Sequence, residues 1–174
     1  MPITQVYQLN DVLISASKGA KSANLVCGDG PVFFTASKAC EAPFGANTFD
    51  GDTTAVRQTM ELRATKELVE YFADFDAWAV VYLAANSERL FKRQLTEAQI
   101  KDQYHSPLKH SEKYDPLLRT KVNISAGRAT RFWDTEGKVM AYPASLQGAL
   151  LVPTRPISHM WITGPSCDLS VQRP

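Results

Sequence analysis

Hydrophobic and polar positions along the first forty residues alternate with a period of two, in the runs VYQLNDVLIS and NLVCGDGPVFF. That period puts successive side chains on opposite faces of a strand. The Gly28-Asp29-Gly30-Pro31 cluster between apolar runs marks a turn, so a hairpin is expected here. After the loop CEAPFGANTFDGD, Val56-Arg57-Gln58-Thr59-Met60-Glu61-Leu62-Arg63 alternates again and predicts a third strand, half-buried.

The period then changes. Leu68, Phe72, Phe75, Ala79 and Leu83 recur at spacings of three and four, and Tyr71, Trp78 and Tyr82 form a second stripe. This predicts a helix that packs on two sides. Thr65 can cap its start, and Glu67 and Glu70 put negative charge where the helix dipole favours it. A second helix is expected from Thr96, because Thr96-x-x-Gln99 has the spacing of a capping box, and it must end before Pro107.

Residues 117–124 then predict a strand, and Thr130-Arg131-Phe132-Trp133 and Lys138-Val139-Met140 predict a hairpin around Asp134-Thr135-Glu136-Gly137. Residues 149–152, 157–162 and 169–172 supply further strand. Strands over 1–64, helices over 65–106 and strands over 115–172 predict one α+β domain spanning 1–174. An antiparallel sheet or barrel with two helices inserted between the third and fourth strands is also the order of an oligonucleotide-binding (OB) fold.

Composition narrows the class. With 174 residues and 44% of them hydrophobic, the chain can bury a core. The longest apolar run, Ala77 to Ala85, is nine residues. That is about half of what a helix needs to cross a bilayer, so core is expected and no membrane partner. The opening MPITQVYQLN lacks the basic cluster and apolar stretch of a secretory signal. The expected location is therefore intracellular, not secreted. Cys27, Cys40 and Cys167 form an odd set without a C-x-x-C pair, which predicts reduced, buried thiols and no zinc site.

The net charge of +1 hides two opposing terms. Residues 41–88 hold nine acids against three bases, a balance of −6, and residues 89–131 hold ten bases against four acids, a balance of +6.

Catalytic near misses fail on spacing or context. Ser15-Ala16-Ser17-Lys18 has the serine-x-x-lysine spacing of penicillin-binding enzymes, but the partner patterns S-D-N and K-T-G are absent. His105 and His110 flank Pro107 and cannot form the H-E-x-x-H arrangement, so exposed polar histidines are expected. His159, between Ser158 and Met160, reads as a hydrogen-bonded core histidine or a base-stacking platform. No glycine-rich phosphate loop is present, and Asp50-Gly51-Asp52 lacks the twelve-residue ligand order of a calcium loop. Asn123-Ile124-Ser125 fits a glycosylation sequon that has little meaning without a secretory signal. A non-enzymatic protein without cofactor or metal is expected.

Single-stranded nucleic acid is held by a basic groove along the phosphates together with aromatic rings on which bases stack. Both elements occur in the basic stretch. Lys92, Arg93, Lys109, Lys113, Arg119, Lys121, Arg128 and Arg131 are the candidate phosphate contacts, and Phe132, Trp133 and Trp161 the candidate rings. In an alternating strand only one of Phe132 and Trp133 can point inward, which leaves the other for the surface. Single-stranded DNA or RNA is the expected partner. The segregated charge equally suits a structural or assembly protein, a homo-oligomer or part of a larger complex.

A resemblance adds to this. The segments Pro43-Phe44-Gly45-Ala46-Asn47-Thr48-Phe49, Trp78-Ala79 through Ser87-Glu88-Arg89-Leu90-Phe91, Tyr114-Asp115-Pro116-Leu117-Leu118-Arg119-Thr120-Lys121, Arg131-Phe132-Trp133-Asp134 and Ile157-Ser158-His159-Met160-Trp161 are similar to a poorly characterised family. That family belongs to large DNA viruses and algae, including dinoflagellates, and resembles their single-stranded DNA-binding proteins. The resemblance spans roughly residues 25 to 172, and none of its blocks is a catalytic signature. It implies an OB barrel with helices after the third strand. It also implies protection of single-stranded DNA in replication, repair or genome packaging, in a nucleus or at viral replication sites. The acidic tail by which many such proteins recruit partners has no counterpart here, so recruitment of that kind is not expected.

Overall fold

The computed structural model describes residues 4–5, 12–16, 22–27, 30–48, 55–124, 129–163 and 166–171. In chain order the first seven strands are β1 (Thr4–Gln5), β2 (Val12–Ala16), β3 (Ser22–Cys27), β4 (Gly30–Thr35), β5 (Cys40–Ala42), β6 (Ala46–Asn47) and β7 (Arg57–Arg63). Three helices follow, α1 (Lys66–Ala85), α2 (Ser87–Phe91) and α3 (Glu97–Gln103). The remaining strands are β8 (Tyr104–His105), β9 (Leu108–Lys109), β10 (Leu117–Asn123), β11 (Phe132–Trp133), β12 (Val139–Met140), β13 (Ala149–Leu151), β14 (Thr154–Thr163) and β15 (Ser166–Val171).

The architecture is α+β, with sheets that are antiparallel except for the β15–β8 pairing. The largest sheet runs β1-β4-β3-β14-β15-β8, with β2 beside β3, and the second runs β6-β7-β10-β9. Two ribbons, β11-β12 and β13-β5, complete the set, and none of the described sheets closes into a barrel. Within the large sheet β14 pairs first with β4, ending at Ile157↔Val32, and then with β3, starting at His159↔Asn24. The facing strand skips because Val26↔Pro31 and Cys27↔Gly30 fold back on each other as the expected hairpin. On the other edge of β14 the register with β15 shifts between Ile157 and His159, as a bulge requires.

The α1 stripe packs as its spacing demands. Leu68, Phe72, Phe75, Ala79 and Leu83 are fully buried, Tyr71 is buried, and Trp78 and Tyr82 pack half-buried against the same core. Phe72 sits at the centre, edge-on to Phe34 at 5.2 Å and to Tyr71 at 5.1 Å. Such edge-to-face contacts add to the area each ring buries. Thr65 accepts a hydrogen bond from the Leu68 N–H, and Thr96 and Gln99 form the reciprocal capping box of α3.

Four local expectations are corrected. The loop after Cys40 holds β5 and β6, which exist because distant strands pair with them: Cys40, Glu41 and Ala42 face Leu151, Leu150 and Ala149. Gly45 turns the chain between them at φ +66, and a Cβ there would lie 2.9 Å from the Gln147 backbone nitrogen. The helical region holds three helices rather than two, because α2 is an extra short turn around Ser87. The buried Ser87 hydroxyl donates to the Ala84 carbonyl and accepts from the Leu95 N–H. Helix does not reach residue 106, since Tyr104 and His105 leave α3 to pair with Cys167 and Asp168 of β15. The helices follow the seventh strand rather than the third, the chain having made several short strands before them.

Cys40 is buried and free, and burial pushes its thiol above its ordinary value. The side chains of Cys27, Cys167 and His159 lie outside the described residues. No described helix is long and apolar enough to cross a membrane.

These contacts rank two substitutions. Phe72→Ala is expected to cost about 3–5 kcal/mol by opening a cavity among the rings of Phe34, Tyr71 and Phe75. Thr96→Ala is expected to cost about 1 kcal/mol by removing one cap. Urea denaturation of the two variants measures both, and equal losses would contradict the ranking.

Candidate nucleic-acid interface

β7 and β10 pair over seven residues, from Leu117↔Arg63 to Asn123↔Arg57. Their alternation is strict. Gln58, Met60, Leu62, Leu118, Thr120 and Val122 are buried on one face. The other face carries Arg57, Thr59, Glu61 and Arg63 opposite Asn123, Lys121, Arg119 and Leu117. Lys109, in β9, faces Leu117 at the edge. Three of the sequence-predicted bases, Lys109, Arg119 and Lys121, thus stand on one face about 20 Å long.

Arg57 and Arg63 join them, and sequence reasoning missed both. They lie within the stretch that sums to −6, so the charge count concealed them. Their two-residue alternation with Thr59 and Glu61 placed all four on one face, but nothing local could reveal that β10 lies alongside.

The acids on this face are unevenly placed. Arg63 donates to Glu41 at 3.0 Å and to Asp115 at 2.7 Å. Arg119 donates to Glu61 at 3.4 Å, and the Lys109 ammonium lies 3.8 Å from the same carboxylate oxygen. At this seam the acidic and basic stretches of the chain meet across β7–β10. The other end is different. Lys121 donates to the Thr59 hydroxyl at 2.6 Å, and neither it nor Arg57 has an acidic partner among the described residues. Burial first, and then the neighbouring charges of Arg57 and Arg119, hold the Lys121 ammonium below its ordinary pKa.

The unpaired end leads directly to the hairpin. Thr130 donates its N–H to the Asn123 carbonyl at 2.7 Å, and its hydroxyl accepts from the Asn123 N–H at 2.9 Å. Arg131 and Trp133 follow, both exposed, with half-buried Phe132 between them. Trp133 is the outward ring, 55% exposed, whereas Phe132 packs on the core and meets Tyr142 edge-on at 5.5 Å. Trp133 follows Thr130 by three residues, so its backbone lies within about 11 Å of Thr130.

The hairpin is held by its turn. The Asp134 carboxylate accepts from the N–H groups of Glu136 and Lys138, both at 2.9 Å, and Gly137 adopts φ +81. Across the ribbon Trp133 faces Val139, which is 61% exposed.

The other sequence-predicted residues are placed elsewhere. Lys92 ends α2 in a left-handed conformation, φ 59, and Arg93 follows it, both exposed off the sheet. Lys113 is exposed in the loop before β10, beside Tyr114, itself 74% exposed. Trp161 lies on β14 opposite Ser22 and Asp168, with its side chain outside the described residues. Arg128 falls outside the described residues altogether. Arg89, counted in the basic stretch, donates to the Ile14 carbonyl at 3.1 Å and clips β2 to the helices.

His105 and His110 are exposed, as expected. Among the described residues the one carboxylate with a raised pKa is half-buried Asp76, held up by desolvation against the pull of hydrogen bonds from Ser106 and Tyr104 and of the His110 charge. Tyr104 donates to it at 2.6 Å, and Ser106 also accepts from the Leu108 N–H, so the group ties α1 to the segment after α3. Among the described residues no group of His, Cys, Asp or Glu could hold a metal ion.

The chain matches no family model, no curated protein and no solved structure. The site therefore stands on its own geometry.

Asp76 has a pH consequence. A carboxyl whose folded pKa is raised loses stability as pH climbs from its ordinary value through the folded one. Asp76→Asn keeps the Oδ1 acceptor for Tyr104. It should therefore gain stability relative to wild type as pH rises through and above the ordinary carboxyl range. Thermal melting across that range checks the sign.

Proposed function

We propose that this protein binds single-stranded nucleic acid, without catalysis, at the Arg57–Lys121 end of the β7–β10 face and the adjoining β11–β12 hairpin. The observation that carries the reading is the position of the uncompensated charge. Among the described bases without an acidic partner, Arg57 and Lys121 share one end of the sheet face, and Arg131 opens the hairpin tied to that end, two residues before the exposed Trp133. Phosphates would meet the bases and a base ring would stack on Trp133, the two elements that sequence-tolerant binding requires. Val139 beside Trp133 widens the apolar platform.

An OB barrel is not needed for this reading, because a basic sheet face with an exposed ring supplies the same two contacts. Among the sequence-predicted bases, those of β10 carry the proposal most directly. A role in handling DNA during replication, repair or packaging follows only as far as the ligand does. The assembly reading differs in its test, since it expects salt-sensitive self-association where this one expects a monomer that takes up an oligonucleotide.

Fluorescence anisotropy with a labelled single strand of about 30 nucleotides tests the proposal, that length exceeding the roughly 4–16 nucleotides one such site covers. Affinity should fall with salt by a slope of about −0.7 per phosphate neutralised, and Lys121→Ala should flatten that slope by about 0.7. Trp133→Ala should cost about 1–3 kcal/mol of binding while leaving the slope in place. Absence of binding at low salt would overturn the reading. Equal binding to duplex would remove its single-strand element.

A further inference from the structure

We infer that Glu61 acts as a built-in competitor for phosphate, holding Arg119 and Lys109 away from a bound strand until the strand displaces it. The inference rests on the single-stranded nucleic-acid reading and deepens it by naming the residue that sets affinity.

The geometry has three parts. Glu61 is the acid in the middle of the β7 row, directly opposite Arg119, on a face that also carries Arg57, Arg63, Lys109, Arg119 and Lys121. Its carboxylate serves two bases from one oxygen, Oε1, at 3.4 Å from Arg119 and 3.8 Å from Lys109. Its side chain is 18% exposed, whereas each of those bases is 56% exposed, so the acid lies low on the sheet with the cations standing over it. A phosphate arriving from solvent meets Arg119 and Lys109 first, and takes them only by breaking their contacts with Glu61.

The consequence is a graded face. Arg57 and Lys121 are available at once, while Arg119 and Lys109 are released only in exchange for Glu61, whose carboxylate then loses its partners. Ion pairs whose cations stand out in solvent are weak, so a polyanion can displace them. Neutralising Glu61 would remove the competitor and extend the free positive surface from two bases on the sheet to four.

The prediction runs against the ordinary expectation that altering a site residue weakens it. Glu61→Gln should bind the same single-stranded probe between about two- and tenfold more tightly than wild type at low salt. Its salt slope should steepen by about 0.7 for each base freed. Glu61→Thr, a good strand former, should do the same if the glutamine variant folds poorly. Glu97→Gln, on α3, raises net charge by the same unit and should change affinity much less.

Unchanged or weaker binding by both folded Glu61 variants, with wild type binding, would overturn the competitor role and leave the nucleic-acid reading intact. A gain by Glu97→Gln as large as that by Glu61→Gln would overturn it too, since bulk charge would then explain the effect. If neither wild type nor variants bind, the nucleic-acid reading itself fails and this inference falls with it.

Discussion

The seven-residue register between β7 and β10 constrains both what the core contains and what the surface offers. With Leu118 opposite Leu62 and Thr120 opposite Met60, the inner face sends Met60, Leu62, Leu118 and Val122 into the common core and buries Gln58 and Thr120 beside them. The same pairing stacks Arg119 on Glu61 and Lys121 on Thr59 on the outside. A slip of one residue in either strand would turn arginine and lysine inward and expose leucine and valine, because side chains alternate with a period of two. Burying an unpaired charge costs far more than any surface ion pair returns. The hydrophobic core therefore fixes the charge pattern, and no separate force is needed to align the bases.

Charge on that face is distributed by which acids the fold brings near. Glu41 and Asp115 reach Arg63 from β5 and from the loop before β10. Glu61 occupies the centre, and no described acid reaches Arg57, Lys121 or Arg131. A gradient results along β10, from compensated to uncompensated, and it ends where Thr130 ties the hairpin to Asn123. Folding tolerates such crowding because the groups remain partly hydrated, where repulsion between neighbouring cations is screened. Partial burial, and then repulsion from Arg57 and Arg119, lower the Lys121 pKa.

Helix α1 packs the rings of Tyr71, Phe72 and Phe75 against one another and against Phe34 of the large sheet, in the same core that the inner side chains of β7 and β10 join. Polar ties attach the periphery to it. Tyr104 and Ser106 bond to Asp76, Arg89 bonds to Ile14, and Lys38 pairs with Glu67 in the first helical turn. That last pair, at 2.5 Å, takes the Glu67 carboxyl down to about 2, chiefly through the Lys38 hydrogen bond. Arg89 of the basic stretch is thus structural, and Arg119 and Lys109 already face Glu61, so the count of bases in the sequence overstates the free positive surface the molecule presents.

What the sequence determined by itself was local. Periods of two and of 3.6 reflect the geometry of one element, so α1 with its buried stripe, the capping box at Thr96, the β7 and β10 strands and the Asp134–Gly137 turn were legible residue by residue. The outward turn of Trp133 was narrowed to a choice of two by the same alternation. Tertiary structure decided what depends on pairing between distant segments. It gave β5 its partner more than a hundred residues away, drew Tyr104 and His105 out of the helical region onto β15, and set β7 of the acidic stretch beside β10 of the basic one. A charge sum along the chain cannot anticipate this, because Coulomb interaction depends on distance through space and ladder pairing sets that distance. For that reason Arg57 and Arg63 emerged only with the fold, and Glu61 changed from one acid among nine to the centre of the basic face.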